Sequence, residues 1–165
     1  MATEDTSMGG KMIKDFRSGS ANSSSPQIRV LHVDDEPTDL EITRIFLKRE
    51  AKENIEIVGV LSAEEALKKL QEEHFDVIIS DYRMLGMDGL EFLEELRKSQ
   101  HDIGSIPFIL FTGKGGEEVA REAFNKGANR YIAKNGGPAN RCSELACAIR
   151  ELAREKMMPP IQPRL

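Results

Sequence analysis

The sequence predicts an α/β fold, a three-layer sandwich in which helices cover both faces of a five-stranded parallel, doubly wound sheet. Two observations support this fold class. Apolar runs of strand length alternate five times with segments whose apolar residues recur at helical spacing. Most of these runs are apolar at successive positions, so both faces of the sheet must be covered by helices.

Five apolar runs are the predicted strands. They cover residues 28–33, 54–61, 75–80, 106–112 and 128–133. Right-handed crossovers between parallel strands allow only a few strand orders, and the flavodoxin-like order 2-1-3-4-5 suits five units of this size.

Five segments of helical period follow these strands. Residues 38–51 form the first, and Ser62 with Glu65 has the spacing of a capping box that begins the second. Asp88 and Gly89 open the third. The fourth is predicted over 113–126, with Gly127 as its C-cap, and the fifth begins at about Pro138.

Composition separates a folded unit, residues 28–157, from two tails. Residues 1–27 are rich in Ser, Gly and Asn without a sustained apolar period, and we expect a disordered N-terminal tail. Residues 158–165 contain three prolines, which favour an extended tail.

Charge and cysteine content exclude several function classes. Lys and Arg total 23 against 28 Asp and Glu, a net charge of -5 that gives no general attraction to nucleic acid. Cys142 and Cys147 match neither a redox pair nor a zinc spacing, so we expect reduced packing residues. No run approaches the length of a membrane span. We therefore expect a cytoplasmic protein that contacts neither nucleic acid nor membrane.

Polar residues follow four of the predicted strands. They are Asp34 and Asp35 after the first strand, Asp81 after the third, Thr112 at the end of the fourth and Lys134 after the fifth. Ligands of such sheets bind beyond the carboxyl ends of the strands, near the switch between the first and third. We therefore expect these five side chains to meet at one edge.

Three carboxylates at one edge would repel one another unless a cation lay among them. A hard divalent cation is implied, and Mg²⁺ suits a site with few protein oxygens better than Ca²⁺. The hydroxyl and the ammonium would then hold the remaining oxygens of a phosphoryl group.

The segments VDDEP, ISDYRMLGMDGLE, ILFTGKG and YIAK resemble the signature of the response regulator receiver family of two-component signalling. The resemblance covers essentially the whole folded unit. It rests on four separated motifs at the ends of four strands, in the order and spacing of that family.

The resemblance implies that Asp81 accepts a phosphoryl group from a phosphohistidine on a sensor histidine kinase. Asp35 and Asp81 would bind Mg²⁺ directly, Asp34 would act on it largely through water, and Arg83 would supply its backbone carbonyl. Lys134 would pair with Asp81 and then with the phosphate.

The same resemblance implies a switch. Thr112 would move towards the phosphate, and Tyr131 would turn inward in response. The output surface would be formed by the fourth helix, the fifth strand and the fifth helix, about 115–155, and would bind an unknown downstream protein. We also expect Arg83 and Lys114 to tune the lifetime of the phosphoryl group, because they lie two residues after Asp81 and Thr112.

Two positions depart from the family pattern. Leu85 and Asn135 stand where the family commonly has proline, four residues after the acceptor and directly after the lysine. Without proline at 135 a cis peptide bond is costly, so we expect a trans bond or a reshaped loop over 135–138. Lys134 would then be placed less firmly.

Other functions remain open from the sequence. A pseudo-receiver that docks constitutively is one alternative. An aspartyl-phosphate phosphatase or phosphotransferase is another, although that class has an acid two residues after its nucleophile, where Arg83 stands. The glycines of 113–116 match no phosphate-binding motif. We expect a signalling domain rather than an enzyme, as a monomer or weak homodimer, either stand-alone or part of a larger sensor.

Overall fold

The computed structural model describes residues 27–52 and 54–157. The strands are β1 (Ile28–Val33), β2 (Ile55–Val60), β3 (Val77–Ser80), β4 (Phe108–Thr112) and β5 (Arg130–Ala133). The helices are α1 (Pro37–Glu50), α2 (Ala63–Glu72), α3 (Gly89–Lys98), α4 (Glu117–Asn125) and α5 (Pro138–Met157), with a 3₁₀ helix at Asp102–Ser105. The tails predicted over 1–27 and 158–165 lie, apart from Gln27, outside the described residues.

The five strands form one parallel sheet in the order β2-β1-β3-β4-β5, which confirms the predicted fold class and strand order. The register aligns the carboxyl ends of neighbouring strands. Val33, the last residue of β1, pairs with Val60 on one side and Ser80 on the other. Thr112 pairs with Ala133. The residues that follow these strands therefore lie along one edge.

Two hydrophobic clusters cover the two faces of the sheet. Leu31 and Val33 point into a cluster with α2 and α3, whereas Val30 points into the opposite cluster with α1 and α5. Successive residues of β1 thus alternate between two buried faces. Helices on both sides are required, as the apolar runs predicted.

Two helices begin at predicted polar caps. The Ser62 hydroxyl accepts the Glu65 backbone N–H, and Asp88 forms a complete capping box with Glu91. The prediction for the fourth helix was wrong at its start, because α4 begins at Glu117 rather than at residue 113. The Thr112 hydroxyl accepts the Lys114 N–H in a local turn, and three of the residues in 113–116 are glycines that disfavour helix.

Two smaller expectations are resolved by burial and helix composition. Cys142 is buried in the core, but Cys147 is exposed, and both are free thiols. Cys147 is therefore not a packing residue. Among the residues that the structure describes, no helix combines the length and apolar character that a bilayer span requires.

Candidate functional site

The Lys134 ammonium lies among three carboxylates at the carboxyl edge of the sheet. Its Nζ is 2.9 Å from Asp34 Oδ2, 3.2 Å from Asp39 Oδ2 and 3.6 Å from Asp81 Oδ2. The lysine side chain is only 8% exposed. Three of the predicted residues, Asp34, Asp81 and Lys134, are therefore brought together, and the cation among these acids is the lysine.

Burial and pairing act in opposite directions on these charges. Burial alone would lower the pKa of Lys134, but its bond to Asp34 and the charges of Asp81 and Asp39 raise it above the usual value. Burial raises the pKa of Asp34, opposed by the Glu36 N–H and by Lys134. Lys134 therefore stays an ammonium while it is held among acids.

The two adjacent acids after β1 point to different partners. Asp34 is fully buried, and its oxygens accept bonds from the Glu36 backbone N–H at 3.0 Å and from Lys134. The Asp35 carboxylate instead accepts the Leu85 backbone N–H at 3.1 Å. Asp35 thus joins the loop after β1 to the loop after β3.

Asp81 is held by its own loop. Its Oδ1 accepts the Tyr82 backbone N–H at 2.7 Å, and its side chain is 13% exposed. The backbone carbonyl of Asp81 accepts the Ser80 hydroxyl. A Cβ at Gly89 would overlap that carbonyl, so glycine lets the start of α3 approach the loop. The Asp81 carboxylate is fixed but accessible.

A cavity of about 290 Å³ opens at this edge. Its charged lining contains one more acid than base: Asp35, Glu36, Asp39 and Asp81 against Arg83, Lys114 and Lys134. Arg83 and Lys114 are both exposed, and the Arg83 guanidinium lies 5.4 Å from the centre of the Tyr82 ring. Both residues predicted to tune the phosphoryl lifetime thus border the cavity that Asp81 faces.

The oxygens at this edge match a hard cation in chemical type. Carboxylates and backbone carbonyls are the ligands that Mg²⁺ prefers. Asp35, Asp81 and Arg83 line the same cavity. Within the described residues, however, no three His, Cys, Asp or Glu side chains are gathered as they are around a bound metal ion. Lys134 and the Leu85 N–H engage carboxylates that a cation would use.

Thr112, the last residue of β4, and Tyr131, the second residue of β5, line the same cavity. Thr112 is fully buried, with its hydroxyl bonded to the Lys114 N–H at 3.1 Å. Tyr131 is half-buried, and burial raises the pKa of its hydroxyl. A Cβ at Gly115 would overlap that hydroxyl and lie 3.3 Å from Thr112 Cγ2. The Tyr131 hydroxyl therefore lies beside Gly115, close to Thr112.

Asn135 follows Lys134 without a cis bond, since no cis peptide bond occurs in the described part of the chain. This confirms the expected trans geometry. The expectation that Lys134 would be loosely placed was wrong. Its backbone N–H donates to the Thr112 carbonyl at 3.0 Å, and its ammonium is held by two carboxylates.

Sequence reasoning missed two residues of this region. Asp39 lies in the first turn of α1, and side chains there lean back towards the helix N-terminus and hence towards the site. Its position four residues after Asp35 was the available signal. His32 is fully buried on β1, and neither ring nitrogen has a hydrogen-bond partner within the described residues.

Comparison with known proteins agrees with this geometry. The sequence model of the response regulator receiver domain matches residues 30–145. The chain is 32% identical over 112 residues to the transcriptional regulatory protein ResD of Bacillus subtilis, covering 68% of this chain and 44% of ResD. It is 30% identical over 113 residues to the CAI-1 autoinducer sensor kinase/phosphatase CqsS of Vibrio cholerae, covering 68% of this chain and 16% of CqsS. The chain thus spans less than half the length of these relatives.

Solved structures show the same similarity. A receiver domain protein from Clostridium thermocellum aligns with a TM-score of 0.67 at 27% identity, covering 78% of this chain and 96% of that one. A CheY-like receiver domain protein from Methanospirillum hungatei aligns with a TM-score of 0.63 at 28% identity, covering 79% and 99%. The chain belongs to the response regulator receiver family, the phosphoryl-accepting signalling domains of two-component systems.

Proposed function

We propose that Asp81 accepts a phosphoryl group from a phosphohistidine of a sensor histidine kinase, and that the chain works as a phosphorylation-dependent switch. In this reaction a P–O bond forms at an Asp81 carboxylate oxygen as the P–N bond to the donor imidazole breaks, and the imidazole keeps the electron pair. The observation that carries the proposal is the Lys134 ammonium, 3.6 Å from the carboxylate of Asp81 beside an open cavity.

Two groups orient the acceptor for this reaction. The Tyr82 N–H holds one oxygen of Asp81, and Lys134 faces the other. The Lys134 ammonium already lies between Asp34 and Asp81. It can therefore move from the Asp81 carboxylate to the phosphoryl oxygens that form on it. Asp34, buried behind the ammonium, keeps it charged.

The cavity lining has one more acid than base, and a phosphoryl group would add between about one and two further negative charges. Asp35, Asp81 and the backbone carbonyl of Arg83 would hold Mg²⁺ directly, with Asp34 acting through water. Bound there, Mg²⁺ would neutralise the carboxylates and the phosphoryl oxygens. Asp35 would have to share or release the Leu85 N–H to take part.

The switch would run from Thr112 to Tyr131. A phosphoryl group on Asp81 would attract the Thr112 hydroxyl, which is now bonded to the Lys114 N–H. Movement of that loop changes the space around Gly115, against which the Tyr131 hydroxyl lies. The two positions of Tyr131 would present different surfaces on α4, β5 and α5 to an unidentified downstream protein.

Arg83 and Lys114 would set the lifetime of the phosphoryl group. Both are exposed and border the cavity. Their side chains can therefore shield a phosphoryl group on Asp81 from water. We expect Arg83→Ala to change the dephosphorylation half-life more than the midpoint of phosphorylation.

The kinase partner is supported by relatives that carry a matching region. CqsS is described as a sensor kinase/phosphatase, and GacS of Pseudomonas syringae, 30% identical over 113 residues, is described as a sensor protein. In both, the match covers less than a fifth of the relative. A receiver of this kind therefore works with a histidine kinase either as a separate chain or within the same one.

The test is intact-mass measurement after incubation with Mg²⁺ and acetyl phosphate. The wild-type protein should gain the mass of one phosphoryl group, and chelation of the cation should prevent it. No adduct on the wild type would overturn the proposal.

Two variants locate the adduct. Asp81→Asn keeps the shape of the side chain but removes the nucleophile, so its mass should not change. Asp102→Asn alters an exposed acid in the 3₁₀ helix and should gain the same mass as the wild type. An adduct that persists on Asp81→Asn would place the acceptor elsewhere.

A further inference from the structure

Asp39 competes with the acceptor for the ammonium of Lys134. Its Oδ2 lies 3.2 Å from Lys134 Nζ, within hydrogen-bond distance, whereas Asp81 Oδ2 lies at 3.6 Å. An ammonium has three N–H donors. Two of them are directed to Asp34 and Asp39, and the acceptor receives the weakest of the three contacts.

The two acids that hold Lys134 differ in burial. Asp34 is fully buried, and loss of its partner would leave an isolated charge in the core, so its bond to Lys134 is hard to break. The Asp39 side chain is 34% exposed and can exchange the ammonium for water at lower cost. Asp39 is therefore the partner that Lys134 can release.

We propose that Asp39 is a positioning residue that holds Lys134 in its resting place, and that a phosphoryl group on Asp81 must draw the ammonium away from it. Asp39 thereby opposes the phosphorylated state. This inference rests on the proposed function and adds a residue that sets the balance between its two states.

A simpler role for Asp39 is that of an acid in the first turn of α1, where negative charge stabilises a helix. Glu36 separates the two roles. It is the N-cap residue of the same helix, it lines the same cavity and it is exposed, but its side chain makes no capping bond. Glu36→Gln therefore removes an equal charge from the same helix end and the same cavity without removing a bond to Lys134.

The test uses beryllofluoride, a mimic of the phosphoryl group, titrated into the full chain at saturating Mg²⁺ and followed by fluorine NMR. We expect Asp39→Asn to bind it about three to ten times more tightly than the wild type, the range that one competing hydrogen bond supplies. Glu36→Gln should change the affinity by less than about twofold. Asp39→Glu, which restores the carboxylate, should return the affinity towards the wild-type value.

A second measurement needs no phosphoryl mimic. The ¹⁵N resonance of the Lys134 ammonium, assigned by its absence in Lys134→Arg, should shift in Asp39→Asn and stay in place in Glu36→Gln. If Asp39 had only a structural role, Asp39→Asn and Glu36→Gln would change the thermal stability alike. Neither variant would then change the beryllofluoride affinity or the lysine resonance.

The two levels of the argument fail differently. If Asp39→Asn and Glu36→Gln bind beryllofluoride equally and the wild type still becomes phosphorylated, the role of Asp39 is overturned while the switch stands. If neither the wild type nor any variant gains a phosphoryl group, the proposed function fails, whatever the lysine resonance shows.

Discussion

Leu85 donates its backbone N–H to the Asp35 carboxylate across 3.1 Å, and this bond joins the loops after β1 and β3. A proline at position 85 has no N–H and could not make it. Leu85 is 84% exposed, so its contribution to the site comes from its backbone. The departure from the family pattern thus adds a hydrogen bond to one of the proposed cation ligands.

Leu85→Pro should increase the affinity for Mg²⁺. The substitution removes the donor that engages Asp35 and leaves that carboxylate free for a cation. Loss of one hydrogen bond that competes with the cation for Asp35 corresponds to a change in Mg²⁺ affinity of about three- to tenfold. Calorimetric titration with Mg²⁺ measures it directly.

Leu85→Ala is the matched control, because it keeps the N–H and shortens only an exposed side chain. It should bind Mg²⁺ with the wild-type affinity. Weaker binding by Leu85→Pro would contradict the prediction and would mean that the bond orients Asp35 for the cation instead of competing with it.

Gly115→Ala should drive the Tyr131 hydroxyl out of its present position. A Cβ at 115 would overlap that hydroxyl. The same Cβ would lie 3.3 Å from Thr112 Cγ2, so residue 115 has little room to shift and the tyrosine must move instead. Burial raises the pKa of Tyr131, so an outward move should return it towards the ordinary value of a tyrosine. Absorbance titration in a Tyr82→Phe background, which leaves one tyrosine, reads this pKa.

Gly116→Ala tests the same loop without the contact, since a Cβ there would meet nothing within 4 Å. It should leave the titration of Tyr131 unchanged. If both alanine variants shift the titration equally, the loop rather than the contact with Tyr131 is responsible.

The edge of the sheet was predictable, because the carboxyl ends of parallel strands share one side. Asp34, Asp81 and Lys134 each follow an apolar run, and that alone predicts that they meet. Their partners depend on rotamers, which no apolar period encodes. Asp39 lies on the first turn of α1, whose direction brings its side chain to Lys134. Asp35 instead accepts the backbone N–H of Leu85. At position 85 a comparison of motifs shows only that the usual proline is missing.

The predicted fourth helix shows a second limit. Its apolar period predicted the element correctly, but the period does not reveal that the Thr112 hydroxyl bonds the Lys114 N–H and delays the start of α4 to Glu117. Arg97 is a third case. In sequence it is one charge of a solvated helix face. In the fold its guanidinium donates to three backbone carbonyls from two segments, those of Gly104 and Ile106 before β4 and that of Gly127 before β5.

Arg97→Met should lower the free energy of unfolding by about 2 to 4 kcal/mol, because the carbonyls of Gly104, Ile106 and Gly127 would lose a charged donor. Burial lowers the pKa of Arg97, as expected for a guanidinium that works away from bulk water. Urea unfolding measures the loss. Methionine keeps much of the apolar stem, so the change reports chiefly on the hydrogen bonds.

Arg44→Met provides the comparison. Arg44 is 43% exposed and pairs with Glu41 one turn away on the same helix. Because an exposed pair of this kind contributes little to stability, the unfolding free energy should barely change. Equal losses in the two variants would remove the argument for Arg97 as a link between α3 and the loop before β5.

His32 should make the protein lose stability in acid. Burial lowers its pKa from 6.5 to about 3, with the nearby Lys134 acting in the same direction. Below pH 6.5 His32 is protonated in the unfolded chain but remains neutral in the folded chain. The contribution of His32 to stability is therefore complete above 6.5 and falls by about 1.4 kcal/mol for each pH unit down to about 3.

His32→Leu should abolish this loss of stability in acid. It also removes two buried nitrogens that have no hydrogen-bond partner in the described residues. We expect a gain of about 1 to 2 kcal/mol near neutral pH, since an unsatisfied buried polar group is costly. The gain should grow as the pH falls. Urea unfolding of both proteins at about pH 7 and at about pH 5, in buffer without divalent cations, gives the difference.

His101→Gln removes an exposed histidine and leaves His32 in place, so it should keep the acid sensitivity of the wild type. If the advantage of His32→Leu is the same at both pH values, the His32 ring must take up its proton in the folded chain at about the same pH as in the unfolded chain. The two nitrogens of the protonated ring would then have to find acceptors, and Asp39, whose charge opposes the lowering of the His32 pKa, is the candidate acid at this edge.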